Sequence, residues 1–94
     1  MDRERDIEKY MTGRIERLGG VAFKFVSPGN DGVPDRLVLL PGGRILFIEL
    51  KTKGGRVKPI QAWQQERLRR RGAEVHTVWS KAQVDELLGG GDAT

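Results

Sequence analysis

Cysteine is absent from the 94 residues, and histidine occurs once, at position 76. Without cysteine there is no disulfide framework and no thiolate metal site, and a structural zinc is left without ligands. His76 lies between Val75 and Thr77 in an apolar stretch and reads as a surface or packing residue rather than a base. Long apolar runs are also missing. The longest, such as Arg44-Ile45-Leu46-Phe47-Ile48-Glu49-Leu50, fall far short of the ~20 residues that cross a bilayer. The opening Met-Asp-Arg-Glu-Arg-Asp lacks the apolar segment of a secretion signal, so the expectation is a cytoplasmic protein with no membrane partner. The Gly29–Gly32 loop has no phosphate-cradling Walker pattern, which leaves nucleotide hydrolysis unsupported. There is no internal repeat. Residues 89–94, Gly-Gly-Gly-Asp-Ala-Thr, carry too little apolar surface to order themselves and are expected to form a disordered tail after one domain at 1–88.

What the chain does have is charge. Seventeen Lys and Arg against thirteen Asp and Glu give a net charge of +4, a long-range field that favours a polyanionic partner. A chain of this length supports one small core, burying roughly 60–65% of its unfolded surface.

Periodicity divides the chain into seven elements. Ile7, Tyr10, Met11, Ile15 and Leu18 recur at helical spacing, and Gly19-Gly20 stops that helix. Residues 21–26 alternate as a strand, with Val21, Phe23 and Phe25 on one face, before Ser27-Pro28-Gly29-Asn30-Asp31-Gly32 breaks the pattern. Residues 36–40 and 44–50 flank Pro41-Gly42-Gly43 and should pair as a hairpin. Both faces of that hairpin carry large apolar side chains, which predicts cover on both sides. Pro59 opens a second helix running to about Arg71, expected to turn Trp63 and Leu68 inward, and Gly72 ends it. Residues 73–79 alternate again; Ser80 to Gln83 has capping-box spacing ahead of Val84, Leu87 and Leu88. The order αβββαβα predicts a single α/β domain, a mixed sheet flanked by helices.

A hairpin turning about Gly42 sets Asp35 opposite Glu49, and opposed residues share a face. Strand alternation adds Lys51 to that face and sends Leu50 the other way. Two carboxylates and an ammonium then converge at one end of an apolar hairpin. Charges there are costly unless partnered, and a hard divalent cation is an efficient partner for two carboxylates, with the Leu50 carbonyl available as a further ligand. Magnesium fits such oxygen donors, polarises phosphate and activates water, while Lys51 is placed to orient the water or stabilise developing charge. Taken singly, each residue reads as a solvated strand end or turn. Their joint placement points to a catalytic site.

Around it the chain is basic. Lys53, Arg56, Lys58, Arg67 and Arg70, with Arg69 and Arg71, could contact phosphates, and Lys24 and Arg36 could line the same groove. Trp63 and Trp79 could stack on bases, although helix and strand positions suit core packing better.

Pro34-Asp35 followed by Glu49-Leu50-Lys51 resembles the PD-(D/E)XK nuclease signature. Gly32-Val33-Pro34-Asp35-Arg36-Leu37, Phe47-Ile48-Glu49-Leu50-Lys51, Gln61 and Gly72 together resemble the VRR-NUC branch over about residues 4–88. The resemblance implies a restriction-endonuclease-like fold, with Asp35 and Glu49 as metal ligands, Lys51 as the catalytic lysine and Gln61 positioning substrate or water. It also implies a further acid from the first helix, for which Glu8 is preferred because it follows the Met11, Ile15 and Leu18 stripe, with Glu4 as the substitute. By the same resemblance the cofactor is Mg2+, with Mn2+ able to replace it. The partner is DNA, especially branched DNA such as four-way (Holliday) junctions, and the assembly is a homodimer like the stand-alone domains found in phages, which implies a phage or bacterial origin. The rival reading is a nucleic-acid-binding module of the same fold that grips without cutting.

Overall fold

In the computed structural model, which describes residues 2–89, the chain runs α1 (Glu4–Arg17), β1 (Val21–Lys24), β2 (Arg36–Leu40), β3 (Arg44–Leu50), α2 (Pro59–Arg69), β4 (Glu74–Val78) and α3 (Lys81–Leu87). The seven expected elements are present in the expected order. Of the tail expected at 89–94, all but Gly89 lies outside the described residues.

The four strands form one sheet in the order β1-β2-β3-β4. The first three are antiparallel; β4 returns parallel to β3 after the α2 crossover, which makes the sheet mixed. The hairpin register pairs Leu40 with Arg44 and Arg36 with Ile48, as a turn about Gly42 requires, and continuing it by one residue brings Asp35 level with Glu49. Strand β1 ends at Lys24, two residues short of the expected Val26, although the Phe25 N–H still donates to the Asp35 carbonyl at 2.9 Å.

Alternation splits the sheet into two unlike faces. Val38, Leu46, Ile48, Leu50 and Val78 pack against Ile7, Met11 and Ile15 of α1 and Val84 of α3, and all of these are buried. This is the core; truncating one of its members, Ile48 for example, to alanine should cost about 2–5 kcal/mol. The other face is covered only where α2 lies. Phe23 and Ile45 remain 52% exposed, and Val21 and Leu39 are exposed beside them, so the expected second apolar layer extends over only part of the sheet.

Helix α2 is itself unlike the helix its sequence suggests. Its buried residues are Gln64 and Gln65, while Trp63, expected to point inward, is 56% exposed. The glutamines are satisfied by hydrogen bonds, as buried amides must be: Gln65 Nε2 donates to Thr77 Oγ1 at 3.0 Å, and Gln64 Nε2 donates to the Asp31 carbonyl at 2.9 Å. The second bond ties α2 to the loop that leads into Asp35. Gly32 makes that approach possible, because a Cβ there would lie 2.9 Å from both the Ile60 carbonyl oxygen and Ile60 Cγ1, and its φ of +88° suits glycine.

Candidate active site

The site lies where the β2–β3 hairpin meets the first turn of α2. Pro34 is buried and hands the chain into β2 with Asp35 at the rim. Asp35 Oδ1 accepts the Leu50 backbone N–H at 3.3 Å, which locks the carboxylate across the end of β3. A strand residue directs its N–H and C=O to the same side, so the Leu50 carbonyl faces the Asp35 side as well. The Lys51 N–H donates to the Val78 carbonyl at 2.9 Å and fixes the backbone from which the ammonium projects.

Glu49 is 5% exposed. Its Oε2 accepts from Gln61 Nε2 at 3.2 Å and lies 3.4 Å from Lys51 Nζ. Gln61 Oε1 in turn accepts from Lys51 Nζ at 2.9 Å and from the Lys58 N–H at 2.9 Å. One amide therefore holds the carboxylate and the ammonium together while also capping α2. The helix begins at Pro59 because proline at its first turn forfeits no helical hydrogen bond, and this places Gln61 over the end of β3.

Electrostatically the two carboxylates oppose each other. Burial raises the Asp35 pKa above the ordinary aspartate value, against the lowering influence of Arg36, Lys51 and backbone hydrogen bonds. Burial also raises Glu49, and the neighbouring charges of Asp35 and Glu4 push it further up, while Lys51 pulls it down. A buried and a partly buried carboxylate in mutual repulsion suit a hard divalent cation. Among the described residues, no group of three or more His, Cys, Asp or Glu side chains is arranged to hold a metal ion. The pair Asp35 and Glu49 is brought together; the first-helix acids stand outside it.

Those acids divide. Glu8 is engaged by Arg36, whose Nη2 lies 2.6 Å from Glu8 Oε2. Glu4, one turn earlier, is the helix acid whose charge reaches Glu49. Arg36, expected among the nucleic-acid contacts, is 8% exposed; its Nη1 donates to the Asp35 carbonyl at 3.0 Å and lies 3.4 Å from Asp35 Oδ2. Buried and committed in this way, it braces the acids from the α1 side instead of reaching for phosphate. Lys24 is exposed opposite Arg36, on the sheet face away from Asp35 and Glu49. Lys53, Arg56, Lys58, Arg67 and Arg70 are exposed, as phosphate contacts must be.

The residues that sequence reasoning missed are Gln64 and Gln65. The signal was a run of glutamines within one short helix, where an amphipathic helix would carry aliphatic side chains. Trp79 donates its indole N–H to the Gly55 carbonyl at 2.8 Å and pins the basic loop beside Lys51, a structural task.

No family model matches the chain. A solved structure described as a VRR_NUC domain superimposes with a TM-score of 0.86 at 42% identity, covering 92% of this chain and 94% of that one. A curated relative, "Putative nuclease p44" of Acyrthosiphon pisum secondary endosymbiont phage 1, is 48% identical over 73 residues, 78% of each chain. The chain belongs to the VRR-NUC nuclease family. Its fold is accordingly restriction-endonuclease-like, and no helix among the described residues of this VRR-NUC domain is long and apolar enough to cross a membrane.

Proposed function

We propose that this VRR-NUC domain is a divalent-metal-dependent endodeoxyribonuclease with a preference for branched DNA. The observation that carries the reading is the convergence of Asp35, Glu49 and Lys51 at one sheet end, with Gln61 bridging the last two. Asp35 and Glu49 would hold Mg2+, or Mn2+ in its place, with the Leu50 carbonyl and Glu4 as candidate additional oxygen donors. Such an ion supplies polarisation of the scissile phosphate and activation of water. Lys51, its ammonium kept in place by Gln61, orients the attacking water and stabilises the negative charge that builds on the phosphate oxygens. Water adds to phosphorus, the ester P–O bond breaks and the departing oxygen takes up a proton. The exposed cations of the 53–58 loop and α2 hold the flanking phosphates. A binding module that does not cut would have no use for the Gln61-bridged carboxylate and ammonium.

A single site cuts one strand, so paired cuts call for two subunits, and a two-fold dimer matches the two-fold symmetry of a four-way junction. The apolar face left open by α2, formed by Val21, Phe23, Leu39 and Ile45, supports such an assembly because it flanks the acids without crossing them.

The test is incubation with four-way junctions and linear duplexes, with and without magnesium, alongside light scattering. The expected outcome is magnesium-dependent, symmetric nicking of the junction by a dimer and slow cleavage of linear duplex. Cleavage undiminished by a chelator overturns the metal reading. Equal rates on the two substrates, or a monomer at micromolar concentration, reduce the protein to a general nuclease.

A further inference from the structure

Trp63 is the largest side chain that α2 leaves in solvent, and it does not stand alone. Trp63 and Arg67 are four residues apart and adjacent on α2, and Arg71, in the turn that follows the helix, donates from Nη1 to the Arg67 carbonyl at 3.0 Å. The Arg67 guanidinium lies over the Trp63 ring, 5.3 Å from its centroid. Trp63, Glu66, Arg67, Arg70 and Arg71 line a surface hollow of about 300 Å³ in which Glu66 is the one acid, and that acid is drawn toward Arg70 at 3.4 Å. Arg67 and Arg71 also border the adjoining groove, whose other wall is Phe25 and Phe47 in edge-to-face contact. Phe25 bonds to the Asp35 backbone, and Gln61 stands two residues before Trp63 on the same helix. The hollow thus joins a groove that reaches the strand end bonded to Asp35, on the same helix whose first turn carries Gln61.

An exposed indole costs solvation and is unnecessary for folding here, because the buried side of α2 is formed by Gln64 and Gln65. Its use is as a flat, polarisable surface. Arginines around an exposed aromatic ring match a ligand that is itself a flat ring joined to phosphates, and base stacking on such rings is tolerant of sequence. Paired bases inside a duplex offer no face to stack on. We propose that Trp63 and Arg67 form a stacking platform for an unpaired nucleobase of the bound DNA, with Arg70 and Arg71 on its phosphates. The proposal rests on the nuclease reading and deepens it, naming the feature of branched DNA that this chain reads: a base freed from its stack at the branch.

The test is binding in the presence of a chelator, so that nothing is cut, to a forked duplex with a short single-stranded arm and to a blunt duplex of equal length. Trp63→Ala should weaken fork binding about tenfold, leave blunt-duplex binding nearly unchanged, and leave the salt slope of fork binding as in the wild type, because stacking releases no counterions. Trp63→Phe should retain most of the fork preference, and Trp63 emission should be quenched by the fork and not by the blunt duplex. Arg67→Ala should reduce the salt slope by about one. An unchanged ratio of fork to duplex affinity in Trp63→Ala, with a wild-type melting profile, overturns the platform. So does a change in oligomeric mass with fork affinity intact, which would make Trp63 a subunit contact. Absence of cleavage by the wild-type protein with magnesium would instead overturn the nuclease reading, and the chelator assay would still decide the platform.

Discussion

Arg36 Nη2 lies 2.6 Å from Glu8 Oε2, an ion pair between β2 and α1 in which the guanidinium is almost wholly buried. The same guanidinium touches Asp35 through both its carbonyl and its carboxylate. Arg36→Met should therefore cost about 2 kcal/mol, as loss of charge-assisted hydrogen bonds does, and lower cleavage by releasing Asp35. Glu8→Gln should lower the melting temperature more than it lowers turnover. Glu4→Gln, at an exposed position whose charge reaches Glu49, should do the opposite. Equal effects of the two glutamine variants on turnover would remove the assignment of the helix acid to Glu4.

Asp35→Asn, Glu49→Gln and Lys51→Ala should each abolish cleavage while DNA binding and the fold survive. The raised pKa values of Asp35 and Glu49 carry a further consequence. A carboxyl group whose folded pKa is raised is fully compatible with folding when protonated and opposes it once ionised, so stability falls as pH rises from the ordinary carboxylate range through the raised one. At neutral pH without metal, Asp35→Asn should melt no lower than the wild type, and magnesium should raise the melting temperature of the wild type alone. A magnesium shift of equal size in the variant would place the ion elsewhere. Calcium should support binding and poorly support cutting, because its larger and looser coordination shell misplaces the reacting groups.

Removing charge at Arg70 and Arg71 should weaken binding across unrelated DNA sequences and flatten its salt dependence, as phosphate contacts do. Both side chains are exposed at the end of α2, and their contacts, a 3.4 Å pair of Arg70 with Glu66 and a hydrogen bond from Arg71 to the Arg67 carbonyl, are exposed too, so the fold should be little affected. Fluorescence anisotropy at several salt concentrations reads the slope; an unchanged slope would leave the end of α2 as a solubilising surface.

Away from the site, Glu74 is held by Arg44 Nη2 at 2.6 Å and His76 Nε2 at 2.7 Å. The Arg44 hydrogen bond is the main reason its pKa falls from 4.5 to about 2. A lowered folded pKa contributes stability that is fully present above the ordinary value of 4.5 and lost as pH falls through about 2. Urea unfolding of Glu74→Gln should therefore lie below the wild type by a constant margin at neutral pH, with the gap closing in strong acid. The margin should be modest, since the carboxylate is about one-third exposed. A gap independent of pH would assign it to packing.

The amino-acid sequence by itself determined the elements, the hairpin register and the meeting of Asp35, Glu49 and Lys51. Each follows from local rules: helical and strand periods, a Pro-Gly-Gly turn that admits one pairing, and alternation that puts every second residue on one face. Tertiary structure alone decided which helix covered which face. Periodicity gave α2 an inward Trp63 beside Leu68, yet only Leu68 is partly covered, and the helix turned Gln64 and Gln65 inward, because Thr77 Oγ1 and the Asp31 carbonyl lay where those amides could be satisfied. It likewise paired Glu8 with Arg36 while leaving Glu4, four residues away on the same helix face, exposed, and moved Arg36 from the expected groove lining into the interior. Those outcomes depend on how α1 and α2 lie against the sheet, and so on distances between residues far apart in the chain, which no local period encodes.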